Sequence, residues 1–388
     1  MGCLCCKKKK TQTTSIKTSL VTDTEDYGNK IQQIDIMEPT RKISFSDFDS
    51  LKLLGTGSFG KVLLVRHRKT NSIYAMKILK KEYIIQRKQE AHTQAERDIL
   101  EKIHYPFIVS LQYAFQDPDH LFFVTEFAQG GELFYHLKRE HFFENERAQF
   151  YVAEIVLALG FLHKNNLIYR DLKPENVLLD KDGHVKLTDF GLSKALLSKR
   201  NSKAYTICGT PQYIAPEIIK NKGYDKTVDW WSLGVLMYEM LSGKKPFVFP
   251  KGSLRLDYFT KKVEMCNNFT EGAKDLISKF LTVEPKNRIG YGSNGIEDIK
   301  KHPYFANIDW KKLEERKIKP PFVPQIQNDT DVMYFDKAFT TKPVAGSWIE
   351  MADNVKKEDN IFDGFTYEKN ICDENPDEVN NQIDNNIV

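Results

Sequence analysis

The chain has 388 residues, 41% of them hydrophobic, and a formal net charge of +4. That length allows about two or three globular units with sizeable cores, and the charge is too small to imply a nucleic-acid partner. No run of about 18 apolar residues is present to span a membrane, and the N-terminus lacks the apolar core of a signal peptide. Three of the six cysteines crowd into the first six residues, which is no disulfide framework and fits a reducing cytosol.

The first ten residues, Met1-Gly-Cys-Leu-Cys-Cys-Lys-Lys-Lys-Lys10, join an acylation signal to a basic run. Gly2 is placed for myristoylation after removal of Met1, and Cys3, Cys5 and Cys6 for palmitoylation. Cys6 stands where a myristoylation signal usually has Ser or Thr, which favours the palmitoyl group. One acyl chain alone holds a protein only marginally. Lys7 to Lys10 against an anionic inner leaflet would add about 1 kcal/mol each. The expected location is the cytoplasm, on the cytoplasmic face of a membrane, in particular the plasma membrane. The plainer alternative is an unstructured basic terminus. Residues 11–44 are rich in Thr, Gln, Asp and Lys, so 1–47 read as a lipidated terminus and flexible linker.

From Phe48 the pattern changes. Gly55-Thr56-Gly57-Ser58-Phe59-Gly60 lies between two strand patterns, Phe48–Leu54 and Lys61–Arg66. In a dinucleotide fold such a glycine run opens a helix; between strands it is a hairpin. Glycine lets the turn press its backbone N–H groups onto phosphates, and Phe59 at the tip would cap the site. Tyr74–Ile78 is a further strand and would bury Lys77, which is costly unless the lysine is paired. Gln89–Ile103 has helical character and carries Glu96 beside Ile99, Leu100 and Ile103. Leu121–Phe127 reads as a buried strand running into Gly130-Gly131, a hinge near 126–131 to a second, helical lobe. There Ala148–Leu162 forms a long, mostly apolar helix.

Leu167-Ile-Tyr-Arg-Asp-Leu-Lys-Pro-Glu-Asn-Val177 sets Arg170, Asp171, Lys173 and Asn176 on one irregular loop between apolar runs. Asp189-Phe-Gly191 follows a short strand at Val185–Thr188. Loops held by a rigid scaffold are where catalytic side chains sit. Two carboxylates, an amide and a lysine in one cleft suit the task of holding metal-bound phosphates while a hydroxyl attacks.

The glycine hairpin, Lys77, Glu96, the Asp171 loop, Asp189-Phe-Gly191 and Ala215-Pro-Glu217 occur in the order found in eukaryotic protein kinases. Over residues 48–305 the chain resembles that family. Tyr169, where most kinases have His, and Val228-Asp-Trp-Trp-Ser-Leu-Gly234 resemble its AGC group (protein kinases A, G and C). The resemblance implies an α+β, bilobal fold. A small antiparallel β lobe with one helix would sit on a larger, mainly helical lobe, followed by an AGC tail over 306–372. It implies that Asp171 accepts or orients the substrate hydroxyl proton and that Lys173 steadies the transferring phosphate. Asn176 and Asp189 would hold Mg2+. Lys77, paired with Glu96, would grip the α- and β-phosphates of ATP. The nucleotide would lie against Leu54, Gly55, Thr56, Gly57, Ser58, Phe59, Gly60, Lys61, Val62 and Ala75, the hinge residues Glu126 and Ala128, and Phe335 of the tail. Glu217 is expected to pair with Arg288, and Asp229 to brace the catalytic loop.

Lys173 and Thr210 of Cys208-Gly-Thr-Pro211 resemble serine/threonine kinases, although Gln212 stands where relatives mostly carry Glu. By the same resemblance Thr206 is the activation-loop phosphosite. Its phosphate would need cations, for which Arg170, Lys194 and His92 are placed. Tail segments Pro320–Pro324, Tyr334–Phe339 and Phe362–Tyr367 follow. Phe362 and Phe365 would fill an apolar groove beside the Glu96 helix, and Thr366 would be the hydrophobic-motif phosphosite, as in the protein kinase B and ribosomal-protein kinase branches. Thr341 and Ser347 are candidates for a further tail phosphosite. Residues 373–388 are acidic and Asn-rich and read as disordered.

The function implied is an ATP- and Mg2+-dependent serine/threonine protein kinase, monomeric, switched on by an upstream kinase of the phosphoinositide-dependent type. Glu132, Glu175 and Glu239 stand where basophilic relatives grip arginines upstream of the phosphoacceptor, and Ile207, Pro211 and Ile214 would line an apolar pocket for the residue after it. Each acid taken alone reads as a surface charge. The alternative reading is a catalytically silent kinase-fold scaffold. Such a protein normally lacks one of the Lys, the loop Asp or the Asp of Asp-Phe-Gly, and all three are here. A metabolite kinase would not need the Thr206 loop.

Overall fold

The computed structural model describes residues 42–57, 60–196, 203–249, 255–259, 263–292, 294–343 and 361–369. The acylation candidates Gly2, Cys3, Cys5 and Cys6, the hairpin tip Ser58-Phe59, and Ser347 lie outside the described residues.

The small lobe is an antiparallel sheet. Its strands are β1 (Phe48–Thr56), β2 (Gly60–His67), β3 (Ile73–Lys80), β4 (Leu111–Gln116) and β5 (His120–Glu126), in the order β1-β2-β3-β5-β4. Helices α1 (Lys81–Gln86) and α2 (Glu90–Lys102) run between β3 and β4. Strand β5 is buried on both faces, which explains its continuous apolar run. On one face Phe122 and Val124 join Phe48, Leu53, Val65 and Phe115, with Phe115 stacked on Phe122 at 4.6 Å. On the other, Leu121 and Phe123 belong to the core that takes in Ile99 and Leu100 of α2. Thr93, Glu96, Ile99 and Leu100 are the buried residues of α2. Their three-to-four spacing makes one helix face, so packing the isoleucine and leucine also turns Glu96 toward β3.

The large lobe is mainly helical. Its elements are β6 (Gly131–Glu132), α3 (Leu133–Glu140), α4 (Asn145–Lys164), β7 (Leu167–Ile168), β8 (Val177–Leu179), β9 (Val185–Leu187) and β10 (Lys194–Ala195). Helices α5 (Pro216–Lys220), α6 (Thr227–Ser242), α7 (Glu271–Phe280), α8 (Ile296–Lys300) and α9 (Trp310–Glu314) follow. Helices α4 and α6 are buried on nearly every side, as helices that are apolar all round must be. Gly243 ends α6 in the left-handed region at φ +70, and its N–H donates to Glu239 O at 2.8 Å.

The tail adds α10 (Lys337–Thr340) and β11 (Tyr367–Glu368). Strand β11 pairs antiparallel with β4, Tyr367 opposite Ala114, and covers what would be an open sheet edge. Neither β4 nor this added strand is assigned by the sequence reading. Two residues carry no periodicity, and their pairing depends on a partner some 250 positions away in sequence.

Candidate active site

The cleft starts at the glycine turn. Gly57 N–H donates to Gly60 O at 2.8 Å. A Cβ on Gly60 would collide with the Ile78 carbonyl, whereas one on Gly55 or Gly57 would meet no protein atom within 4 Å. Packing inside the chain therefore demands glycine at 60 but not at 55 and 57. What those two glycines offer is backbone freedom and an open approach to the cleft. Lys61 lines the same cleft, Thr56 is exposed, and Leu54 is buried.

On β3, Lys77 Nζ donates to Glu96 Oε1 at 2.8 Å and lies 3.5 Å from Asp189 Oδ1. Burial alone would lower the pKa of this ammonium; the carboxylates of Asp189 and Glu96 outweigh it and hold it above the ordinary lysine range. Lys77 in turn holds Asp189 below the ordinary carboxylate range against the opposing effect of burial. Glu96 is pushed up by burial, which its pairing with Lys77 offsets only in part. The cleft has a volume of about 350 Å³ and is bounded by Gly57, Gly60, Lys77, Glu96, Asp171 and Asp189.

Asp171 sits at the floor, 7% exposed. Its Oδ2 accepts from Lys173 Nζ at 2.7 Å and Asn176 Nδ2 at 2.9 Å, and its Oδ1 accepts from Thr210 Oγ1 at 3.0 Å. Behind the loop, Asp229 accepts from the backbone N–H groups of Tyr169 at 3.0 Å and Arg170 at 2.8 Å, and bonds His163 Nε2 at 2.7 Å. Arg170 at φ +71 and Asp189 at φ +59 occupy the left-handed region, where non-glycine residues are uncommon and persist only when surrounding contacts hold them. The expected Asp229 brace is one such hold. The Tyr169 hydroxyl donates to Thr188 O, and its ring packs edge-on against Phe190 at 5.2 Å. The Thr210 hydroxyl, bonded to both Asp171 and Lys173, was not among the sequence-derived site residues. Its signal was the neighbouring Gly209, at φ +108, where a Cβ would lie 2.9 Å from Arg170 O.

Asp189 and Asn176 fit a hard cation. The Asn176 amide nitrogen is taken up by Asp171, which leaves its oxygen as the ligating atom, and the Asp189 side chain is 49% exposed to the cleft. Among the described residues there is no group of three or more His, Cys, Asp or Glu able to hold a metal. Mg2+ is bound through one or two carboxylates together with substrate phosphates, and the Asp189 carboxylate with the Asn176 oxygen has the donor set for that.

On the hinge side, Glu126 Oε1 accepts from Ser110 N–H at 2.8 Å and Lys186 Nζ at 2.9 Å, and the Ala128 carbonyl accepts from Gly131 N–H at 3.1 Å. Leu54 clusters with Leu64 and Val332, and Val62, Ala75, Phe127 and Phe335 pack against them. Phe335 stacks on Phe127 at 5.5 Å, so a tail side chain closes this end.

Glu175 lies within electrostatic reach of both Glu132 and Glu239. Partial desolvation, with Glu175 and Asp336 adding, pushes Glu132 above the ordinary glutamate range; because the residue as a whole is exposed, solvent screens much of that shift. Burial also pushes Glu239 up, and its carboxylate accepts from the Tyr213 hydroxyl. Glu175 Oε2 is buried and has no hydrogen-bond partner. Ile207 is 56% exposed and Pro211 is exposed, but Ile214 is 5% exposed and sits in the large-lobe core. Ile214 lies beneath Gly209, where a Cβ would come within 3.3 Å of its side chain, so Ile207 and Pro211 are the more accessible of the three expected apolar-pocket residues.

Thr206 is exposed, and its carbonyl accepts from the Tyr224 hydroxyl at 2.7 Å. Arg170 reaches the same hydroxyl at 3.1 Å, while His92 is bonded to Gln89 at 2.7 Å and Lys194 lies on β10. Thr366 is exposed between the buried Phe365 and β11. Phe365 meets Phe123 edge-on at 5.2 Å, Gln116 donates to Phe362 O at 2.8 Å, and Arg97, next to Glu96, donates to Phe365 O at 3.1 Å.

Residues 48–305 match the family described as Protein kinase domain. This chain belongs to the protein kinase family. Residues 326–367 further match the Protein kinase C terminal domain; together with the relatives that follow, this places the kinase in the AGC group, on the protein kinase B branch. It is 47% identical over 306 residues to a RAC serine/threonine-protein kinase of Drosophila melanogaster, covering 78% of this chain and 50% of that one. It is 44% identical over 313 residues to the human RAC-beta serine/threonine-protein kinase, covering 80% and 65%. With the serine/threonine-protein kinase gad8 of Schizosaccharomyces pombe it shares 41% over 360 residues, covering 92% and 63%. The kinase thus spans between half and two thirds of the length of these relatives.

Proposed function

We propose that the chain transfers the γ-phosphate of ATP to serine or threonine of proteins that carry arginine upstream of the acceptor. The observation that carries this reading is Lys77, 2.8 Å from Glu96 and 3.5 Å from Asp189, at a cleft whose floor is the fixed Asp171. Bound Mg2+ would neutralise charge on the phosphate oxygens, held by Asp189 and Asn176. Lys77 positions the α- and β-phosphates. Asp171, acceptor-only when ionised, takes the proton of the attacking hydroxyl. Lys173 and Thr210 hold the Asp171 carboxylate in place, and Lys173 also meets the transferring phosphate. Such catalysis is almost wholly positioning and charge stabilisation.

Glu132, Glu175 and Glu239 receive the upstream arginines, since a guanidinium fork bonds carboxylates two-fold. Ile207, Pro211 and Ile214 line an apolar pocket for the residue after the acceptor. Phosphorylation of Thr206 and Thr366, the first by an upstream phosphoinositide-dependent-type kinase, raises activity by ordering the loop and docking the tail. The test is transfer of labelled phosphate from ATP to an arginine-containing serine peptide, with Asp171→Asn as control; equal transfer by the variant would refute the assignment.

We further propose that acylation at Gly2 and at Cys3, Cys5 and Cys6 anchors the protein to the inner leaflet, aided by Lys7 to Lys10. Replacing the three cysteines by serine should move the protein from the membrane to the soluble fraction; retention on membranes would count against it.

A further inference from the structure

Tyr224 is a buried residue outside the active-site cleft, 2% exposed. Its backbone is fixed by an isolated antiparallel bridge to Ala204. Ala204 N–H donates to Tyr224 O at 2.8 Å, and Tyr224 N–H to Ala204 O at 2.9 Å. Gly223 before it is at φ +82, a backbone conformation that strains any side chain, so the bridge favours glycine at this position. The ring is thereby pointed across the segment that leads to Thr210.

Its hydroxyl makes contacts on two sides. It accepts from Arg170 Nη1 at 3.1 Å and donates to Thr206 O at 2.7 Å, with Cys208 Sγ 3.9 Å away. Burial pushes this hydroxyl up to about 12, so it stays protonated and able to donate. Arg170 also donates through Nε to Leu192 O, just past Asp189-Phe-Gly191. One guanidinium therefore joins three pieces of chain: its own loop beside Asp171, the segment after Asp189, and, through Tyr224, the backbone of Thr206.

We propose that the Tyr224 hydroxyl is a positioning group that ties the Thr206–Thr210 segment to Arg170, so that Thr210 meets Asp171 and Lys173. The link runs to the Thr206 backbone and does not require a modified side chain. A phosphate on Thr206 adds a second, direct tie to Arg170 and makes the hydroxyl partly redundant. This inference rests on the reading of the chain as a kinase with Thr206 as its phosphosite.

Tyr224→Phe in the full chain keeps the ring and the bridge and deletes only the hydroxyl. Loss of one such hydrogen bond should speed hydrogen exchange over residues 203–210 by roughly 3- to 10-fold with Thr206 unphosphorylated, while α6 is unchanged. Phosphate transfer should slow by a similar factor with the KM for ATP unaltered. Stoichiometric phosphorylation of Thr206 should shrink both differences. Three results would each overturn the proposal: unchanged exchange over 203–210, equal acceleration throughout α6 as for a folding defect, or the same difference in both phosphorylation states. If the unmutated chain transfers no phosphate, the kinase reading fails, and the exchange measurement still decides the case of Tyr224.

Discussion

Lys77 Nζ and Glu96 Oε1 stand 2.8 Å apart, one from the third strand and one from the α2 helix, and on the proposed function the pair makes the position of that helix a condition for gripping phosphates. Lys77→Met removes the clamp, and Asp189→Ala removes the main carboxylate ligand of the cation. Each should lower kcat by at least about 100-fold, the scale for losing one preorganised charge-stabilising group. Near-normal steady-state rates in both variants would remove the basis of the assignment.

Arg288 forks onto Glu217, Nη1 to Oε1 at 2.6 Å and Nη2 to Oε2 at 3.0 Å, at 2% exposure. Removing one partner of a buried pair leaves a charge uncompensated. Arg288→Ala should therefore cost about 3–5 kcal/mol of unfolding free energy in urea titrations. Arg288→Lys should recover only part of this, because an ammonium cannot reproduce the fork. An Arg288→Ala chain as stable as the parent would show that the pair is dispensable.

Glu132 and Glu239 are both shifted upward from the ordinary glutamate value of 4.5. As pH falls they take up protons earlier than free glutamates, so the KM for arginine-containing peptides should begin to rise above that value. Stability runs the other way. A carboxyl with a raised folded-state pKa favours folding below its unfolded pKa, and that contribution is lost as pH rises through the folded pKa. Acidification should thus weaken peptide binding while these two groups add to stability and do not reduce it. A peptide KM flat down to the ordinary glutamate value would argue against their contact with arginine.

Thr206→Ala should remove most activity and Thr366→Ala a smaller share. The first loses the proposed phosphate tie to Arg170 and keeps only the backbone link through Tyr224; the second weakens docking of a motif whose Phe365 is already fully buried and whose backbone is held by Arg97 and Gln116. Rates on a single peptide, with site occupancy measured by mass spectrometry, check the order. Full activity of Thr206→Ala made without an upstream kinase would contradict it.

Much of this was legible in the residues. Strands β1, β2, β3 and β5 and helices α2 and α4 follow from apolar periodicity, and the pairing of Lys77 with Glu96 from the cost of burying a lysine. The chain does not announce which residues meet across long separations. Strand β11 is two residues long and exists only because β4 offers an edge. Thr210 reads as a family marker, and its bond to Asp171 depends on the left-handed turn at Gly209. Ile214 reads as apolar, but that it lies beneath Gly209 is set by the turn and not by its own residue type.

The most direct measurement is a positional peptide array phosphorylated by the full chain with labelled ATP and Mg2+. The account predicts labelling of serine and threonine peptides, selection for arginine three and five residues before the acceptor, an apolar residue just after it, and weakened arginine selection in Glu175→Arg. No transfer, or transfer without arginine preference in the unmutated chain, would contradict it.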